Sequence, residues 1–249
     1  MNLIILTERD RIDQQRFAVT DYRAEHLGSV LKVERGDRVE VGLLNGPRGL
    51  ATVEPENERF VLRVERWEEM PARAPEIDII CALPRPQTLK KVLLTSAMMG
   101  VHALYLIRAN RVEKSYFQSP LVEPENQLPY LIEGLSQGKL TRLPRVSLHD
   151  RFKAFFEDTI PTLYPDDDTT TRLLADPDIF AGLNDALDSA ARGIVLAIGP
   201  EGGWVPFEIE LMQKSGFKAV RLSHAVLRVE HALTAALAQI ELLVHMRRG

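Results

Sequence analysis

A loop rich in glycine follows an apolar segment in the last quarter of the chain. Residues 194–198 read IVLAI, and the next five residues, GPEGG, contain three glycines, one proline and one glutamate. Glycine has no side chain, so a ligand can approach the backbone of such a loop closely. Open α/β sheets bind their ligands beyond the carboxyl ends of strands, and this loop occupies such a position. It is therefore a candidate binding site.

The residue types in this loop argue against a bound phosphate. The loop lacks the Gly-Lys-Ser/Thr ending of a P-loop and the G-x-G-x-x-G spacing of a dinucleotide site. Pro200 has no N–H to donate, and the carboxylate of Glu201 would repel an anion. A neutral or cationic ligand fits better, such as a nucleoside without phosphates. The structural alternative is a tight turn that places Glu201 near the positive end of the next helix.

A second candidate for chemistry is the stretch LSHAVLRVEHA at residues 222–232. Only Val229 separates Arg228 from Glu230, and a helix is predicted to begin near Glu230. Two opposite charges there could act on a ligand, and they could equally pair with each other or cap the helix. Spacing alone leaves both interpretations open.

Strand and helix patterns alternate from residue 77 onward, which predicts a mostly parallel α/β sheet. The predicted strands cover residues 77–83, 102–107, 172–175, 193–198 and 217–223. The predicted helices cover residues 87–100, 123–138, 184–192, 206–216 and a last segment from about residue 230. Residues 164–171, which are acidic and rich in threonine, predict an exposed loop.

The first 70 residues have a different pattern, which predicts a small β-rich domain. Short valine-rich segments at 37–44, 49–55 and 59–67 alternate with turn residues, and residues 24–32 predict a short helix. Residues 68–76 contain two prolines and predict a linker.

The composition places broad limits on the function. The 249 residues carry a net charge of -4, which argues against a strongly basic nucleic-acid binder but allows local basic patches. The single cysteine, Cys81, excludes an intramolecular disulfide framework and fits a reducing compartment, so we expect a cytoplasmic protein. No apolar run is long enough to span a bilayer, and the N-terminus lacks the features of a signal peptide. We expect no membrane partner and no metal.

Together the two candidate stretches resemble a known family. The segments IGPEGGW and LSHAVLRVEHA resemble the closing motifs of the SPOUT methyltransferases, and they are most similar to the ribosomal RNA small subunit methyltransferase E family. HLGSVLKVERGDRVEVG, at 26–42, resembles the small RNA-binding domain of that family, and TLKKVLLTSAMMGV, from residue 88, resembles the first helix of its catalytic domain. The resemblance extends from His26 to Leu242.

The resemblance implies an α/β fold in two parts. Residues 1–70 would form a PUA-like β-barrel domain that binds RNA, and residues 77–249 a SPOUT domain whose C-terminal part is threaded into a trefoil knot. S-adenosylmethionine would bind in the knot. It carries a sulfonium cation and no phosphate, which agrees with a loop that contains Pro200 and Glu201. The family members are homodimers, and their product is 3-methyluridine in 16S ribosomal RNA of the small subunit.

The resemblance also assigns residues to the site. Arg228 and Glu230 would be catalytic: Arg228 would stabilise negative charge on the uracil ring, and Glu230 would assist proton removal or orient Arg228. The implied cofactor-binding residues are Leu174, Ile198, Gly199, Pro200, Glu201, Gly202, Gly203, Leu222, Ser223, Val226, Leu227, Arg228 and Ala232.

Basic side chains provide candidates for RNA contact through phosphates. These candidates are Arg9, Arg11, Arg16, Arg23, Arg108, Arg111, Lys114, Arg142 and Arg145. The arginines near the N-terminus are interleaved with acids, so a solvated surface is the simpler interpretation there.

Two departures from the family pattern leave other functions open. His231 stands where the family usually has threonine, and Met98 and Met99 replace the usual Glu-Leu. A catalytically altered or silent RNA-binding relative is therefore an alternative. An enzyme for another nucleotide cofactor is a third interpretation, but the sequence lacks the phosphate-binding feature that it would need.

Overall fold

The strands of the protein form two separate sheets. The computed structural model describes residues 2–56, 59–69, 75–165, 169–188 and 191–248. In these residues a five-stranded sheet occupies the first part of the chain, and a six-stranded sheet occupies the remainder. No helix in these ranges is long and apolar enough to cross a membrane.

The five-stranded sheet has the order β1-β3-β4-β5-β2, with β1 parallel to β3 and the other pairs antiparallel. Alternate residues such as Val39 and Val41 are buried, as the sequence pattern predicts, and they pack with Phe17 and Leu62. The strands are β1 (Ile4–Leu6), β2 (Arg16–Val19), β3 (Arg38–Leu43), β4 (Arg48–Glu56) and β5 (Arg59–Glu68).

The six-stranded sheet is parallel throughout, in the order β11-β9-β10-β6-β7-β8. Its strands are β6 (Glu76–Ala82), β7 (Ala103–Ile107), β8 (Arg145–His149), β9 (Thr170–Ala175), β10 (Gly193–Ile198) and β11 (Lys218–Val220). Successive residues of a strand face opposite sides of the sheet, so Ile79 belongs to one hydrophobic cluster and Ile80 to the other. Both faces are covered, as parallel sheets require.

Helices cover the large sheet and one edge of the small one. They are α1 (Tyr22–Glu25), α2 (Pro86–Met98), α3 (Pro124–Gly138), α4 (Phe152–Ala154), α5 (Ile160–Leu163), α6 (Leu183–Ala186), α7 (Pro206–Lys214) and α8 (Val229–Arg248). Wider π-type turns extend α1 over His26–Val30 and connect α4 to α5 over Phe155–Thr159. Short 3₁₀ turns lie at Glu8–Asp10, Lys114–Gln118 and Pro120–Val122.

Several elements differ from the sequence expectations. The helix expected over residues 184–192 has only the four residues of α6, and residues 189–190 lie outside the described ranges. The last two residues of the predicted loop at 164–171 belong to strand β9, and residues 166–168 lie outside the described ranges. Most of the predicted linker, residues 70–74, is also outside these ranges. Strands β1, β2 and β8 were not predicted, because they are short or lack a clear alternation of apolar residues.

The N-terminal strand joins the small sheet to the helices of the large one. Leu3 N donates to Ser136 O at 3.0 Å, and Ser136 Oγ donates to Leu3 O at 2.6 Å. After α3, the carbonyl oxygen of Thr141 accepts a hydrogen bond from Asn45 N at 2.7 Å, and the Thr141 hydroxyl donates to Gly46 O at 2.6 Å. Four hydrogen bonds between distant segments thus fix the two sheets against each other.

A buried carboxylate near the start of β6 ties three segments together. Asp78 accepts a hydrogen bond from the phenol of Tyr164 at 2.6 Å, and His102 Nδ1 lies 2.9 Å from its other oxygen. Burial, followed by the charge of Asp78, raises the pKa of the Tyr164 phenol, so Tyr164 stays a neutral donor. Because water cannot replace these partners, the group depends on its protein hydrogen bonds.

We predict that Asp78→Asn lowers the free energy of unfolding by about 1–3 kcal/mol, because the new amide places an N–H against a neighbouring donor. Urea unfolding followed by circular dichroism measures this change. The matched control is Asp150→Asn at an exposed position, where the change should stay within about 0.5 kcal/mol. Equal effects of the two substitutions would contradict the role given to Asp78.

Candidate functional site

A cavity of about 300 Å³ lies at the carboxyl edge of the large sheet. Strands β11, β9 and β10 are neighbours and parallel, so their carboxyl ends meet at this edge. The cavity lies between the segments that follow these strands: 175–178 after β9, 198–204 after β10 and 221–229 after β11. Its volume falls at the lower end of the range of small-molecule sites, roughly 300–1,000 Å³.

The glycine loop has a conformation that requires glycine at two of its positions. Gly203 has a φ of +76°, in the left-handed region that side chains with a Cβ rarely adopt. Its N–H donates to Pro200 O at 2.8 Å, which closes a tight turn. A Cβ on Gly199 would lie only 3.1 Å from the indole nitrogen of Trp204. The backbone turn and the packing of Trp204 therefore both depend on the glycines.

Most of the predicted cofactor residues line this one cavity. They are Ile198, Gly199, Pro200, Glu201, Gly202, Gly203, Leu222, Ser223, Val226 and Leu227. Arg111, predicted only as an RNA contact, lines it as well. The structure thus brings together two sequence segments that lie about twenty residues apart.

Three other predicted cofactor residues do not line the cavity. Leu174 is fully buried in the hydrophobic cluster beneath it, and Ala232 packs in the core from helix α8. Arg228 is exposed just outside the cavity. Its carbonyl accepts bonds from His231 N and Ala232 N at 3.0 and 2.8 Å, so its backbone begins α8.

The sequence prediction omitted one wall of the cavity. This wall contains Asp176, Pro177 and Asp178, directly after β9. A signal for it existed, because polar residues directly after a buried strand belong to the same sheet edge as the glycine loop. The other lining residues that were not predicted are Ala175, Trp204, Ile209, Arg221, Ala225 and Val229.

The charged groups around the cavity include three carboxylates and two guanidinium groups. Asp176, Asp178 and Glu201 provide the carboxylates. Arg111 donates to the carbonyl of Gly202, and the guanidinium of Arg221 lies 5.2 Å from the ring centre of Phe180. Because Arg85 Nε also lies 3.4 Å from the Glu201 carboxylate, the acid that favours a cation over a phosphate is chiefly that of Asp176 and Asp178.

One of these carboxylates also influences the thiol below the loop. Burial raises the pKa of Cys81 to about 12, and the negative charge of Glu201 acts in the same direction. Cys81 is fully buried at the carboxyl end of β6, so this thiol remains protonated and unreactive in the folded protein.

The two predicted catalytic residues have different surroundings. The exposed side chain of Arg228 has no hydrogen bond to another side chain among the described residues. Glu230 is buried, and Lys91 Nζ on helix α2 lies 3.1 Å from its carboxylate. Burial opposes ionisation of this carboxyl, but hydrogen bonds and the charge of Lys91 outweigh it and lower the pKa of Glu230. Its partner is thus Lys91 and not the expected Arg228.

Most of the predicted RNA-binding arginines are already engaged within the protein. Near the N-terminus, three of them bond to carboxylates: Arg11 to Glu8, Arg16 to Asp13, and Arg23 to both Asp10 and Asp21. Elsewhere, Arg142 pairs with Glu76 at 2.9 Å, Arg145 contacts His102 at 3.0 Å, and Arg108 lies over the Phe117 ring. Arg9 and Lys114 are exposed. The paired arginines have less charge available for phosphates.

The described residues contain no cluster of three or more histidine, cysteine, aspartate or glutamate side chains that could hold a metal ion.

Comparison with known proteins gives the class to which this fold and cavity belong. Residues 72–241 match the family model of the RNA methyltransferase domain. Ribosomal RNA small subunit methyltransferase E of Treponema pallidum is 30% identical over 244 residues, which cover 96% of this chain and 90% of the relative. Ribosomal RNA small subunit methyltransferase E 1 of Borreliella burgdorferi is 24% identical over 238 residues, with 95% of both chains covered.

A solved structure has the same fold. It is the ribosomal RNA small subunit methyltransferase E of Neisseria gonorrhoeae bound to S-adenosyl methionine, with a TM-score of 0.77 and 20% identity over 97% of this chain and 98% of that one. From the sequence matches, the chain belongs to the ribosomal RNA small subunit methyltransferase E family.

A buried glutamate connects the cavity to the segment that follows β7. Glu208 in the first turn of α7 is only 2% exposed. Its carboxylate accepts bonds from Val205 N at 2.9 Å and from Asn110 N at 2.6 Å, across 98 residues of sequence. Asn110 precedes Arg111, whose guanidinium bonds to Gly202. Glu208 thereby holds the Arg111 segment against the glycine loop.

We predict that Glu208→Gln loosens this segment, because glutamine has one acceptor oxygen for two backbone donors. A hydrogen bond to a charged group contributes about 1.5–3 kcal/mol, so whichever of the Asn110 and Val205 amides loses its acceptor should exchange its hydrogen roughly tenfold faster or more. Hydrogen exchange followed by NMR measures this rate. Glu210→Gln on the same helix is the matched control, because Glu210 is exposed and pairs with exposed Lys214 at the surface. Unchanged exchange rates of both Asn110 and Val205 in Glu208→Gln would contradict this role of Glu208.

Proposed function

We propose that this protein is an S-adenosylmethionine-dependent methyltransferase that methylates N3 of a uridine in 16S ribosomal RNA of the small subunit. The proposal rests on one observation: the glycine loop, residues 199–203, and residues 222–227 line the same cavity. This cavity lacks a phosphate-binding feature. Membership of the ribosomal RNA small subunit methyltransferase E family supports the reaction and the RNA substrate.

The chemistry of the cavity fits the proposed cofactor. The apolar side chains of Ile198, Leu222 and Leu227 suit an adenine ring and a thioether chain, and the glycine backbone allows close approach. Acidic groups on the lining, such as Asp176 and Asp178, suit a sulfonium cation. When bound, S-adenosylmethionine supplies an electrophilic methyl group. A related structure with 20% identity contains this molecule, which agrees with the assignment.

The protein must make uridine N3 nucleophilic, because N3 carries a proton in neutral uracil. Arg228 is exposed directly after the cavity-lining residue Leu227, so its guanidinium can reach a base held at the cavity mouth. There it would stabilise the negative charge that develops on the ring as the proton leaves. The target base must be unpaired or flipped out of its helix to reach this position.

Glu230 has a structural role in this mechanism and fixes the start of α8. Its carboxylate is buried and paired with Lys91, and its low pKa makes it a weak proton acceptor near neutral pH. The ion pair joins the first turn of α8 to α2 and so fixes the start of the helix directly after Arg228. Glu230 therefore orients Arg228 through the backbone.

The finer architecture is part of the same proposal. We place a PUA-like barrel at residues 1–70 and a SPOUT domain at 77–249, with the C-terminal segment around α8 threaded as a trefoil knot. We further propose a homodimer, since Leu242 and Met246 leave apolar surface exposed on α8. A ribosomal RNA substrate is consistent with action in the cytoplasm.

A silent RNA-binding relative has less support than an active enzyme. His231, the residue that departs from the family pattern, is exposed on the first turn of α8 and does not line the cavity. Its side chain leaves the proposed cofactor volume intact.

The direct test compares 16S ribosomal RNA from cells with and without this protein by mass spectrometric mapping of modified nucleotides. The proposal expects one 3-methyluridine to disappear with the gene and to return with the purified enzyme and S-adenosylmethionine. An unchanged set of methylated uridines would reject the proposed substrate.

We predict that Arg228→Ala lowers kcat by about 100-fold or more, because one charge-stabilising group is lost in the transition state. The KM for S-adenosylmethionine should change little, since Arg228 does not line the cavity. Arg192→Ala, at an exposed position before the opposite end of β10, is the matched control and should retain full activity. A kcat within twofold of the wild type for Arg228→Ala would remove Arg228 from the mechanism.

A further inference from the structure

A second concavity lies between the small sheet and helix α3. Its walls are the helical segment 22–30 and residues 125–137 of α3, and its floor is residues 2–5. We call it the α1–α3 groove. Its volume of about 690 Å³ is more than twice that of the cavity at the sheet edge, and no residue lines both. The groove is thus a separate site.

Both walls of the groove expose apolar side chains. On one wall Tyr22 and Val30 are 64% and 65% exposed, and on the other Leu128 is 38% exposed beside Pro129. Large apolar side chains grouped around a concavity are typical of a surface that another molecule covers. The hydrogen bonds between Leu3 and Ser136 join the floor to the α3 wall, and Arg23 donates to Ile5 O at 2.6 Å and joins the floor to the other wall, so the groove is formed in advance.

The charge of the groove is negative. Glu25, Glu125 and Glu133 line it, and no described partner pairs with the carboxylate of Glu25 or Glu125. Arg23 also lines the groove, but Asp10 and Asp21 hold it at 2.7 and 2.8 Å and neutralise its charge. The only other basic group on the lining is the imidazole of His26.

Two local features complete the polar character of the groove. Burial raises the pKa of the Tyr22 phenol, the charge of Arg23 opposes this rise, and the charges of Asp21, Asp10 and Glu133 support it, so Tyr22 stays a neutral hydrogen-bond donor beside the carboxylates. Pro129 lies inside α3 and has no N–H, so the carbonyl of Glu125 lacks its usual helical donor. The α3 wall therefore offers a main-chain acceptor close to its carboxylates.

We propose that the α1–α3 groove docks a segment of another protein in which lysine or arginine side chains alternate with apolar ones. The apolar side chains would cover Tyr22, Val30 and Leu128, and the cations would pair with Glu25 and Glu125. RNA does not fit this surface, because its phosphates would meet unpaired carboxylates. The groove thus gives the protein a protein-binding site that is separate from the cavity at the sheet edge.

The test uses a short fluorescein-labelled peptide in which leucine alternates with lysine, and a second peptide in which leucine alternates with glutamate. Fluorescence anisotropy with the full-length protein should show binding of the lysine peptide alone. The double variant Glu25→Gln/Glu125→Gln should weaken it about fivefold to tenfold. Leu128→Ser should also weaken binding, because it removes apolar contact without a change of charge.

The matched control is Glu157→Gln/Glu210→Gln, which removes two exposed carboxylates elsewhere with the same change of net charge. It should bind the lysine peptide like the wild type, and an equal loss in both double variants would show unspecific attraction and overturn the proposal. Absence of peptide binding would also overturn the proposal. The same holds if single-stranded RNA displaces the peptide from the wild type and fails to bind Glu25→Gln/Glu125→Gln, because the groove would then be an RNA-binding site. Conversion of a dimer to a monomer by that double variant in sedimentation would assign the groove to a second copy instead.

Discussion

Parallel pairing of the strands in the large sheet is the constraint on which the site depends. Parallel strands place all their carboxyl ends at one edge, so the segments after β9, β10 and β11 must meet there. This geometry brings Asp176, Gly199 and Leu222 around one cavity although they are far apart in sequence. Without it, the glycine loop would be an ordinary turn, and Arg228 would have no cavity beside it.

Buried carboxylates then fix what the sheet brings together. Glu208 holds the Arg111 segment against the glycine loop, Glu230 holds the start of α8 against α2, and Asp78 fixes the opposite end of β6. A buried carboxylate is stable only with such partners, so each of these contacts is specific. The contacts of Glu208 and Glu230 thus fix the segments beside the cavity and leave Arg228 exposed next to it.

The sequence contained enough information for most of the large sheet and for two of the three segments around the cavity. The apolar runs at 77–83 and 193–198 predict buried strands, and the residues after the second run argue against a bound phosphate. The Asp176–Asp178 wall was omitted because its residues are ordinary turn formers. Their importance depends on β9 lying between β10 and β11, and strand order is a property of tertiary packing.

Pairing between charged groups was the feature of the structure that the sequence predicted least well. Arg228 and Glu230 are neighbours in sequence, yet Glu230 bonds to Lys91, which lies 139 residues away. The sequence shows that the arginines near the N-terminus are interleaved with acids, but it does not show that Arg11, Arg16 and Arg23 are each held by nearby carboxylates. A helix or strand pattern gives the face of a side chain, but the choice among several acids needs three-dimensional distances.

We propose above all that residues 199–203 and 222–227 together bind the methyl donor. A crystal structure of this protein with S-adenosylhomocysteine, the product form of the donor, tests it most directly. The account predicts that the ligand lies between these two segments, with its sulfur toward the mouth of the cavity where Arg228 is exposed. A ligand bound in the α1–α3 groove, or at any place where it touches only one of the two segments, would contradict the account.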